Sequence, residues 1–145
     1  MDAVEKPLAG ISAQSWGVAV GVICYGGGVN AVFFSGKREG LSIYSDVLNL
    51  WFLGPYMLLA IGALIAWNSR VGKVLWICVT APSLLLGVQM AQQGSERCCA
   101  PGQMLTVGVA ILYSQYIFSI IGVIAAVASV IMPLALKQWR QRNPG

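Results

Sequence analysis

Apolar positions in this chain come in long blocks, and polar ones are confined to short stretches between them. The blocks are Trp16–Ser35, Val47–Trp67, Val74–Met90 and Leu105–Leu136. Each is close to or above the roughly 20 residues that a helix needs to cross hydrocarbon. The third is the shortest and the fourth runs well past the requirement. None of the four blocks contains Lys or Arg, and Asp46 stands just ahead of the second. The pattern predicts an all-α integral membrane protein, an antiparallel bundle of four transmembrane helices in one domain covering residues 1–145. The short polar turn "NSRVGK" makes the second and third helices a hairpin.

Inside the blocks a finer pattern appears. Gln115, Ser119, Gly122, Ala126 and Ser129 recur at alternating steps of four and three, which places them on one stripe of a helix. Gly17, Gly21, Cys24, Gly28, Ala31 and Ser35 form a second stripe of the same kind. Small residues on one face let membrane helices approach closely, so the first and fourth spans are expected to pack through these stripes. The named interface is Gly17, Gly21 and Gly28 with Ser119, Gly122 and Ala126. Pro55 and Pro82 each remove one helical hydrogen bond. Pro55 is expected to kink or open the second helix, while Thr80 or Ser83 is positioned to satisfy the carbonyl that Pro82 frees.

Composition narrows the class further. Of 145 residues, 57% are hydrophobic and 10% charged. A soluble domain carries about a quarter charged residues, so this chain lacks the polar side chains to cover a water-facing surface. The net charge of +4 reads as topology and not as a nucleic-acid signal. With the amino terminus inside, Lys6, Arg70, Lys73, Lys137, Arg140 and Arg142 lie on the cytoplasmic side, and Lys37, Arg38 and Arg97 outside. The inside excess places both termini in the cytoplasm and the protein in a plasma or inner membrane. Lys37 and Arg38 are the dissenting pair. The opening "MDAVEKPLAG" has acidic residues where a signal peptide is basic, so the first span is expected to remain as an uncleaved helix.

The candidate chemistry is sparse. Histidine is absent, which removes bis-histidine haem and the commonest general base. No Asp, Glu, Lys or Arg lies inside the four spans, which disfavours a proton-coupled transporter. No cofactor, metal or catalytic residue is expected. Cys98 and Cys99 are adjacent in the second outer loop, where they are placed first for cross-linking within an oligomer or to a partner subunit, next as inert or lipid-modified residues, and last for thiol redox or soft-metal chemistry. Asn30, Thr80, Ser83 and Gln115 are the polar groups within spans, fit either for joining helices or for lining a path to a neutral ligand. These features favour a non-enzymatic protein whose partners are the bilayer and other membrane subunits or itself. It would be a small accessory or assembly subunit of a membrane complex, or a homo-oligomer. A small facilitator for a neutral solute is the first alternative, and a thiol-dependent redox or metal-handling protein the second.

Overall fold

The computed structural model describes residues 12–35, 45–95 and 101–145. These residues fold into four helices: α1 (Ala13–Ser35), α2 (Ser45–Ala66), α3 (Arg70–Ser95) and α4 (Pro101–Arg142). The stretches Ala13–Phe33, Arg70–Gln93 and Thr106–Arg142 are each long and apolar enough to cross a membrane. The apolar part of α2, Leu50–Ala66, is 17 residues, or about 25 Å of helix.

One expectation on length is revised. The third apolar block looked the shortest, yet α3 has 26 residues and α2 has 22. Beyond Met90 the apolar run gives way to Gln92 and Gln93, but glutamine is a good helix former, so the helix continues where the hydrophobicity stops. All three internal prolines, Pro55, Pro82 and Pro133, sit within helices that run on through them.

The helices are arranged with α2 and α3 in mutual contact and flanked by α1 on one side and α4 on the other. Among the described residues no Cα of α1 comes within 8 Å of one of α4. The first and fourth spans therefore do not pack backbone to backbone as the stripes suggested. Two apolar clusters fill the interior. One joins Val29 and Phe33 of α1 to Phe52, Met90 and Leu112. The other joins Val22 to Tyr56, Leu59, Ala63, Ala66, Trp76 and Ala126.

Candidate functional site

The helices are joined by a repeated device in which an aromatic ring enters the space left by a glycine on a facing helix. A Cβ built on Gly26 would overlap the Tyr56 ring, and one on Gly54 would overlap the Tyr116 hydroxyl. A Cβ on Gly62 would lie 3.2 Å from the Trp76 indole, and one on Gly108 only 2.7 Å from Phe33. Several of these rings carry a polar tip, and each tip is anchored on a neighbouring backbone. Tyr25 donates its hydroxyl to the Leu84 carbonyl at 2.8 Å, and the Trp76 indole N–H donates to the Leu59 carbonyl at 2.9 Å.

The Tyr116 hydroxyl donates to the Trp51 carbonyl at 2.6 Å. That carbonyl is the one Pro55 leaves without its helical donor, four residues earlier. Gly54 clears the approach for the ring. A tyrosine on α4 thus repairs the backbone defect that a proline makes in α2, and α2 stays helical.

At the centre lies a buried polar group of side chains. Gln115 is fully buried, and its Nε2 donates to the Tyr56 hydroxyl at 3.0 Å and to the Ser83 carbonyl at 3.1 Å. A Cβ on Gly87 would lie 2.6 Å from the Tyr56 hydroxyl, so this glycine makes the room in which Tyr56 and Gln115 meet. Ser119 donates its hydroxyl to the Gln115 carbonyl at 2.7 Å and is thus satisfied within its own helix. Ser83, Thr80 and Asn30 are all buried as well. The Thr80 and Ser83 hydroxyl oxygens and Gln115 Oε1 have no hydrogen-bond partner among the described residues. Thr80 and Ser83 consequently do not satisfy the carbonyl freed by Pro82, contrary to expectation. The link at this level is made by the longer Gln115 side chain, reaching across from α4.

The two stripes of small residues face opposite ways. Ser119 and Ala126 are buried, and a Cβ on Gly122 would lie 3.2 Å from Val79 of α3. The α4 stripe is therefore a contact with α3 and α2. On α1, by contrast, a Cβ added at Gly17, Gly21, Gly27 or Gly28 would meet no atom within 4 Å. Cys24, on the same side, is exposed and unoxidised. This glycine face looks outward.

Cys78 of α3 is also exposed and free, while Cys98 and Cys99 lie outside the described residues. No group of histidine, cysteine and carboxylate side chains suited to a metal occurs among the described residues. Sequence reasoning found Gln115, Ser83 and Thr80 but missed Tyr25, Tyr56, Tyr116 and Gly87. The signal was present in each case: a phenol, or a glycine, inside an apolar block. In comparisons with known proteins the chain matches no family model, no curated protein and no solved structure.

Proposed function

We propose that the chain is a small multi-pass membrane protein that works by association, as an accessory or assembly subunit of a membrane complex or as a homo-oligomer. Its partner lies against the outward face of α1. The observation carrying this reading is the unfilled glycine face at Gly17, Gly21, Gly27 and Gly28. Lipid tails are as apolar as leucine side chains, so a lipid-facing helix gains nothing from glycine. A helix that receives another backbone gains close van der Waals packing. Gly26, Gly54, Gly62, Gly87, Gly108 and Gly122 are each met by a neighbouring side chain, which sets the α1 face apart.

In this reading the four helices are antiparallel neighbours with both termini cytoplasmic. Support comes from the apolar cluster in which the C-terminal half of α1 meets the N-terminal half of α2, and the C-terminal half of α3 meets the N-terminal half of α4. The basic residues Arg70, Lys73, Lys137, Arg140 and Arg142 then share the inner side.

The test is native mass spectrometry of the protein extracted in mild detergent, with and without reductant. Gly21→Leu and Gly28→Leu should abolish the assembly while leaving helix content and unfolding temperature unchanged. Gly122→Leu should instead destabilise the chain itself. An assembly that survives both α1 substitutions overturns the proposal. Loss of the assembly on reduction shows that a disulfide holds it, and whether a Cys98→Ser/Cys99→Ser variant still assembles without reductant distinguishes that pair from Cys24.

The facilitator reading retains one supporting observation, the buried oxygens of Thr80, Ser83 and Gln115 that have no partner among the described residues. It requires cysteines placed at positions 30, 80, 83 and 115, in a chain cleared of native cysteines, to react with water-soluble thiol reagents. Protection of all four positions rules it out.

A further inference from the structure

The last turns of α4 leave the rest of the molecule behind. A Cβ on Gly72 would lie 2.9 Å from the Ser129 hydroxyl, so Ser129 stands level with the turn that joins α2 to α3. From Val130 to the C-terminus every residue is exposed. The helix nonetheless continues to Arg142, about 20 Å further at about 1.5 Å per residue. Its sequence changes abruptly on the way, from "VIMPLAL" to "KQWRQR".

One face of this extension presents Pro133, Leu136, Lys137, Arg140 and Gln141 together, an open and shallow cleft between exposed side chains of a single helix. These positions follow one another at helical spacing, with apolar groups at the end nearer the bundle and cationic ones at the far end. Among the described residues the charge of this extension is all basic. The basic residues of the described chain are Arg70, Lys73, Lys137, Arg140 and Arg142, and the acidic residue among them, Asp46, stands in the first turn of α2. We infer that this cleft binds an anionic phospholipid. Lys137 and Arg140 hold the phosphate, Arg140 through its forked N–H donors, and Gln141 adds a neutral donor. Pro133 and Leu136 lie along the first part of the acyl chain. The exposed Trp139 on the neighbouring face is suited to the headgroup level. A free phosphate would leave the apolar half of the lining unused, which favours a lipid as the occupant.

The inference rests on the membrane placement proposed above but not on the assembly reading, and lipid bound to a single chain reports on it alone. Full-length protein in mild detergent is titrated with phosphatidylglycerol or phosphatidylcholine of matched acyl chains, and bound lipid is read by native mass spectrometry. Each basic side chain near the phosphate is worth about fivefold in binding, so the two together should make the wild type prefer phosphatidylglycerol by about twenty-five-fold. The double variant Lys137→Gln/Arg140→Gln should lose that preference, and Arg70→Gln/Lys73→Gln should keep it. Raising the salt should weaken phosphatidylglycerol binding by the wild type and leave phosphatidylcholine unaffected, a check that needs no variant. Equal binding of the two lipids overturns the inference. So does a preference that survives the first double variant or vanishes with the second. Displacement by an equimolar amount of glycerol phosphate would reassign the cleft to a soluble phosphate and overturn the lipid reading.

Discussion

At the scale of single residues, stability depends on glycines being read in pairs with aromatic rings. Gly54 and Gly27 both lie in helices, yet a methyl group has opposite consequences at the two sites. At Gly54 it would push the Tyr116 hydroxyl off the Trp51 carbonyl. Gly54→Ala should therefore destabilise the protein by about 1–3 kcal/mol, the range for overpacking a filled site. At Gly27 a methyl group meets nothing within 4 Å, and Gly27→Ala should be neutral or stabilising by up to about 1 kcal/mol from helix propensity. Denaturant unfolding in detergent micelles distinguishes the two, and equal effects would contradict the pairing. Tyr116→Phe should cost about 1 kcal/mol, the usual worth of an interhelical hydrogen bond in a membrane. In that background the effect of Gly54→Ala should shrink, because the two changes act on one contact.

At the scale of elements, the four helices were legible because long apolar blocks separated by charges admit few other readings. The N-terminal and C-terminal limits moved by a few residues, most at the end of α4, which runs on from Leu136 to Arg142, and nearly as far at the end of α3, where glutamines extend a helix that hydropathy alone would stop. The small-residue stripes were legible too, but not the direction each one faces. In water an apolar face points inward because it must. In a bilayer the protein interior and the lipid are equally apolar, so periodicity identifies a face without saying what covers it. That is why Gly122 and Gly21 look alike in sequence and differ in the fold. The tyrosines were harder to read, since Tyr25 and Tyr116 find their partners on the backbone of a facing helix and Tyr56 finds its partner in a side chain far along the chain. The exposed end of α4 makes a prediction at this scale. A chain ending at Leu136 removes only exposed residues, and its unfolding free energy should match the full chain within about 0.5 kcal/mol. A larger loss would mean that the tail braces the bundle.

At the scale of the whole molecule, the exposed cysteines offer a comparison between two outer surfaces. Cys24 lies on the glycine face of α1, and Cys78 on the outer side of α3. If α1 is where association occurs, a hydrophobic thiol reagent should label Cys24 slowly in the assembly and faster after dissociation, with Cys78 unchanged. Labelling followed by mass spectrometry of peptides reads both sites in one experiment. An identical response at the two cysteines would move the contact away from α1.

The aromatic rings seated over glycines also decide which motions the molecule allows. Sliding α2 along α1 by one turn, about 5.4 Å, would carry Tyr56 off Gly26 and onto Val22 or Asn30, where a side chain already stands. The same displacement would take Gly54 away from Tyr116 on α4 and Gly62 away from Trp76 on α3. Three contacts on three helices would fail together. A one-turn slide of α2 is therefore opposed at all three of its neighbours at once.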